Sequence, residues 1–303
     1  MSLRTPPTPY EGKDIALGHL SVLRVLPVRG RRMIGPWCFL DRFGPLSFTE
    51  GMPIDVAPHP HIGLQTVTWL LDGEIAHDDS LRSEAVLRPG GVNVMTSGHA
   101  IAHSERTPRD HTGKLNGVQL WTALPDTRRH GAASFEHLPE VPRYEQPSGL
   151  VDVFAGRIEG AGSSATYFSP ILGGDVRVHK GHELVLPLDP MFEHAVLVLE
   201  DVVVLEGQTL APRLLYYLPP GRSDVALSSP TGARLLLLGG EPFPESILMW
   251  WNFVARTPEE IRQARDDWEH HRRFGEVPAY VGPRLAAPEV LRLVSSTSAN
   301  PMS

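Results

Sequence analysis

The chain has 303 residues, enough for about two domains of ordinary size or one large one. Its 41% hydrophobic and 21% charged residues are those of a water-soluble globular protein, and a net charge of −7 argues against direct nucleic-acid binding. No apolar run approaches the roughly 20 residues that cross a bilayer, so no membrane association is expected. A lone cysteine, Cys38, leaves no intrachain disulfide, and the polar, proline-rich start reads as neither signal nor transit peptide. A cytoplasmic location is the expectation. The 29 prolines are about twice average usage and cut the chain into segments too short for long helices.

In chain order, Leu20 to Leu124 reads as strands and turns. Gln65–Leu71 is a β-favouring run, Asp72-Gly73 a turn, and Glu74–Ser80 its return strand. Glu84–Arg88, Val92–Thr96, Ile101–Thr107 and Leu115–Leu124 follow, separated by Pro89-Gly90-Gly91 and Ser97-Gly98. Arg128–Gln146 has no apolar period and carries Pro139 and Pro142, so it reads as a linker. Strand patterns resume at Val151–Ile158, Asp175–Val178, Glu183–Pro187, His194–Glu200, Val202–Glu206, Leu214–Leu218, Asp224–Leu227 and Arg234–Leu238. Strands at this spacing indicate sandwiches or barrels, here in two β-rich halves. One helix is predicted from Thr257 to about Arg273, with Thr257 as N-cap, Pro258 at the first position and Glu260 closing a capping box. The Ser/Thr/Asn tail is expected to fray.

The chemistry concentrates in His59-Pro60-His61 and His103-Ser104-Glu105. Residues two apart on a strand face the same side, so each segment offers a same-face pair. If the two strands are neighbours, three imidazoles and one carboxylate meet. That set suits one divalent ion of the Fe, Mn, Ni, Cu or Zn group. Octahedral coordination would leave two adjacent positions for substrate or dioxygen, unlike a closed structural zinc site. The second half has no equivalent set. His77 and His99 lie near the motif as further pocket candidates. Trp250, Trp251 and Phe253 read as packing. Gly160 to Ala165 matches a dinucleotide fingerprint by letters, but no helix follows it.

These segments resemble the pirins, bicupin proteins of the cupin superfamily. The resemblance rests on His59-Pro60-His61 with Gly63 and Thr66-Val67, and on Met95-Thr96-Ser97-Gly98 through His103-Ser104-Glu105. It extends to Gly35-Pro36, to Phe39 through Pro45 and to Asp78-Asp79-Ser80. It implies an all-β fold of two tandem cupin (jelly-roll) β-barrels with a short C-terminal helix. The expected boundaries are residues 1–127 for a metal-binding N-terminal barrel and 128–147 for a linker. A metal-free C-terminal barrel is expected at 148–256, and helix and tail at 257–303. It further implies His59, His61, His103 and Glu105 as metal ligands, with Fe(II) the usual ion. Pirin-type activity implies a quercetinase-like dioxygenase acting on a flavonol-like or other hydroxylated aromatic with O2. Glu105, the carboxylate of the set, is then the catalytic proton acceptor. The other role known in the family is non-enzymatic: a metal-containing, redox-sensing protein that modulates a transcription or metabolic partner. Two positions depart from the pirin pattern: Ile62 stands where many members have Arg, and Gln65 where many have Glu. Both alter charge near the site and leave the substrate open.

Overall fold

Short β-favouring runs cut by proline and glycine fold as strands. The computed structural model is almost entirely β, with one helix among the residues it describes, 5–17, 20–49, 51, 54–289 and 295–296. The chain forms two compact units. One comprises Met1–Ile15, Leu23–Asp41 and Glu140–Phe243; the other comprises Ala16–Val22, Arg42–Pro139 and Pro244–Ser303.

In the unit built on Glu140–Phe243, the larger sheet runs Thr8–Glu11, Leu214–Leu218, Glu193–Glu200, Ala233–Gly240, Ile171–Val178, Gly149–Ile158, Arg143–Gln146. A second sheet runs Glu183–Pro187, Asp224–Ser228, Val204–Leu205, Gln208–Thr209. Alternate residues share a core: Val151 and Val153, Val196 and Val198, Leu235 and Leu237 from one sheet, Leu184, Leu186, Val225 and Leu227 from the other. Each such side chain contributes about 1.5–3 kcal/mol on burial, which is why the period-2 pattern was readable.

In the unit built on Arg42–Pro139, a four-stranded antiparallel sheet runs Asp55–His61, Ile101–Arg106, Ile75–Asp79, Glu84–Leu87. A second sheet includes, in order, Ser134–Leu138, Val92–Thr96, Leu64–Gly73 and Lys114–Ala123. The expected hairpin at Asp72-Gly73 is therefore corrected: its two strands lie in different sheets, and the turn carries the chain from one to the other. Gly73 makes this possible, with φ +85 and no room for a Cβ, which would sit 2.1 Å from the Lys114 carbonyl oxygen.

The Pro244–Ser303 segment closes this second unit. Ile247–Trp250 pairs with Phe253–Ala255. Helix α1 (Pro258–Glu269) has the predicted capping box between Thr257 and Glu260. It ends at Glu269 rather than near Arg273, because His271 and Arg273 adopt left-handed backbone conformations that cannot continue it. Ile261, Ala264 and Trp268 of α1 pack with Phe253, Phe274, Ile62 and Ala102. Trp250 and Trp251 pack against the same cluster.

Among the strands missed from sequence are Thr8–Glu11, Lys13–Leu17, and Ser134–Leu138 and Arg143–Gln146 within the stretch read as a linker. These four end their sheets. Edge strands tolerate polar residues and proline, so they carry no alternating apolar signature. The Ser/Thr/Asn tail lies outside the described residues except for Ser295–Ser296, which pair with Ile247 and Leu248. Among the described residues, no helix is long and apolar enough to cross a membrane.

Candidate metal centre

The two motif strands are neighbours. His59 stands directly opposite His103, and His61 opposite Ile101. On its other side, the His103 strand pairs with Ile75–Asp79, setting His103 opposite Asp79 and Glu105 opposite His77. The pleat then gathers His59, His61, His103, Glu105, His77 and Asp79 on one face. Ser104, Arg106 and Asp78 take the opposite face, where Arg106 and Asp78 form an ion pair at 2.8 Å. The register slips between His103 and Glu105, where three steps of the His59 strand match two of its partner. The additional residue falls at Ala57-Pro58, and Pro58 has no N–H to strand at the bulge.

His59, His61 and His103 are 6%, 1% and 1% exposed. One nitrogen from each lies within 4.8 Å of the others. His61 Nε2 and His103 Nε2 are 3.0 Å apart. Burial pushes the His59 imidazole down to about 4 and holds His61 and His103 well below their ordinary value, so all three are neutral near pH 7. Each Nδ1 is already committed: His59 to the Ala57 carbonyl at 2.9 Å, His61 to the Asn252 carbonyl at 3.2 Å, and His103 to His77 Nδ1 at 3.3 Å. A carbonyl only accepts, so His59 and His61 carry their proton on Nδ1. Their Nε2 lone pairs then point inward. At 3.0 Å the His61 and His103 Nε2 atoms either share one proton or lie as neighbouring donors on a cation, and a borderline divalent ion is the natural occupant of such an imidazole set. The residues therefore fit the metal that the motif implies.

Glu105 follows on the same face, with its carboxylate outside the tight histidine group. Loss of water around the carboxyl raises its pKa, opposed by His77 and by a hydrogen bond with Thr68. Of the four residues singled out from sequence, the structure thus brings three into one cluster and sets the fourth beside it.

Sequence reading underrated two neighbours. His77 is buried, stacks on Phe135 with centroids 4.0 Å apart, and places Nε2 3.2 Å from Asp79 Oδ2. The signal was present: His77 and Asp79 are two apart on a strand and share a face. Asn252 left no signal, because it acts through its backbone from 191 positions away. His99 is exposed and lines a different place, a cleft of about 320 Å³ bordered by Ile62, Gly63, Arg129, His130 and Arg273. None of the clustered histidines lines that cleft, so it is not the metal centre.

Comparison with known proteins agrees with this geometry. The Pirin family model matches residues 19–122, and the model of the pirin C-terminal cupin domain matches residues 174–275. A Pseudomonas aeruginosa protein provisionally named quercetin 2,3-dioxygenase is 45% identical over 274 residues, 90% of this chain and 87% of its own. A Caulobacter vibrioides pirin-like protein is 39% identical, over 86% of this chain and 92% of its own. The crystal structure of quercetin 2,3-dioxygenase from Acinetobacter baumannii superposes with a TM-score of 0.92 at 39% identity, covering 96% of this chain and 98% of that one. The Escherichia coli pirin YhhW, solved in complex with nickel(II), shares the fold with a TM-score of 0.61 at 15% identity, over 78% of this chain and all of its own. With two tandem cupin domains matched in order and the histidine motifs gathered in the first, the chain belongs to the pirin family.

Proposed function

We propose that this protein is a metal-dependent dioxygenase that opens a flavonol-like or related hydroxylated aromatic with O2. The observation that carries the reading is the convergence of three neutral imidazoles beside one carboxylate of raised pKa. His59, His61 and His103 would hold the ion, with Glu105 as the fourth ligand. Fe(II) is the proposed ion, with Mn, Ni, Cu or Zn able to use the same donors. When bound, the ion would make a coordinated substrate hydroxyl more acidic and bring it together with O2. Glu105 would take that hydroxyl proton. A carboxylate whose pKa is raised by burial is a better base than an exposed one, closer to the operating pH. The imidazoles would remain neutral donors, each held by its committed Nδ1. The names of the relatives support the substrate class.

The test is aerobic incubation of the iron-loaded chain with quercetin. Loss of the flavonol absorbance with release of carbon monoxide, abolished in His61→Ala together with metal content, is the expected result. A metal-replete protein that turns over no flavonol with any of the five ions would overturn the enzymatic reading in favour of a binding role.

A further inference from the structure

The three clustered histidines are not oriented alike. His59 and His61 donate to backbone carbonyls, which every residue type offers, so no side-chain substitution at Ala57 or Asn252 removes those acceptors. His103 has a side chain instead. Its Nδ1 faces His77 Nδ1 at 3.3 Å, and His77 Nε2 faces Asp79 Oδ2 at 3.2 Å. From this arrangement, and resting on the metal-centre reading above, we infer that His77 and Asp79 are positioning residues that set the tautomer of His103.

An ionised carboxylate only accepts, so the single proton of an imidazole facing Asp79 sits on His77 Nε2. The Nδ1 of His77 is then bare and can only accept. His103 must therefore carry its proton on Nδ1, leaving its Nε2 lone pair turned towards His61 Nε2. The chain of donors runs one way, from His103 through His77 to Asp79. Both relay residues are held on other sides. Asp79 Oδ1 accepts from the Leu81 and Ser83 amides at 2.8 and 2.9 Å. Phe135 lies flat on the His77 ring, 5° from parallel. His77 is 3% and Asp79 1% exposed, so bulk water does not replace either partner. A purely space-filling His77 would leave both tautomers of His103 open and would need no carboxylate behind it.

Cobalt(II) titration of the full-length chain, followed by its d–d absorption, tests this. His77→Phe keeps the ring against Phe135 but has no acceptor, and it should bind cobalt about 10–100-fold more weakly. His77→Asn places an oxygen near the former Nδ1 and should recover most of that loss. Asp79→Asn can turn a donor towards His77 Nε2, inverting the relay, and should resemble His77→Phe. In the metal-free wild type, long-range 15N NMR should show His103 protonated on Nδ1. Circular dichroism separates these effects from misfolding, and if Asp79→Asn does not fold, the His77 pair and the NMR tautomer decide. Folded His77→Phe with unchanged cobalt affinity, or a metal-free form with His103 protonated on Nε2, overturns the relay alone. A wild type that takes up no cobalt overturns the metal centre and the relay with it.

Discussion

At the scale of single residues, protonation decides what the site can do. In the proposed reaction Glu105 takes a proton from substrate, and Glu105→Gln removes that capacity without changing size. Flavonol turnover at saturating iron should fall about 10²–10⁴-fold, measured by the decay of quercetin absorbance. A different residue tests how burial couples to pH. His194 is fully buried, with neither ring nitrogen hydrogen-bonded in the structure, and burial pushes its pKa down to about 4. Unfolding returns it to the ordinary value near 6.5, so acid favours the unfolded chain. Stability owed to its neutral form is complete above about pH 6.5. It declines as the pH falls towards 4, by about 3 kcal/mol at the end of that window. His194→Leu should therefore gain in melting temperature over wild type as the pH is lowered from 7 to 4.5. A constant difference across that range would refute the assignment. The gathering of His59, His61 and His103 was legible in sequence because a strand's period of two converts His-x-His and His-x-Glu into shared faces. The relay was half-legible: His77 and Asp79 stood in the right pattern, but only the neighbouring strand shows what they point at.

At the scale of elements, the strand bearing His61 is supported from far along the chain. Val254 donates its amide to the Ile62 carbonyl, and Ile62 bridges to Phe253 in parallel. Gly63 lies against this support with φ +68, and a Cβ there would sit 2.0 Å from the Val254 oxygen. Gly63→Ala is expected to cost more than about 1 kcal/mol and to weaken cobalt binding, since the strain falls two residues from His61. Thermal unfolding and metal titration on the same sample check both effects. Such a parallel bridge is invisible to local pattern reading. So were the sheet change after Gly73, hidden in an ordinary Asp-Gly turn, and the edge strands at Ser134–Leu138 and Arg143–Gln146. By contrast, the α1 start was readable to the residue, because its cap is written in adjacent side chains. Its end was not, because left-handed conformations at His271 and Arg273 have no glycine to announce them.

At the scale of the whole molecule, chain order and spatial order diverge. Pro244–Ser303 belongs with Arg42–Pro139, although Glu140–Phe243 lies between them in sequence. A chain ended at Phe243 would retain His59, His61, His103 and Glu105 but lose the Asn252 carbonyl and the apolar cover of Ile62 and Ala102. It is expected to bind a hydrophobic dye, to aggregate, and to hold no stoichiometric metal by elemental analysis. Retention of full metal by a soluble truncated chain would count against the role given to this segment. The same interleaving bears on biosynthesis. All the proposed metal ligands are in place once residue 105 has been added, yet the carbonyl that orients His61 is added 147 residues later. A nascent polypeptide thus carries its donors without that orienting carbonyl through the whole intervening stretch of synthesis. Capture of the ion is thereby deferred until the segment carrying Asn252 has been made and has docked, governed by whichever metal is at hand at that moment.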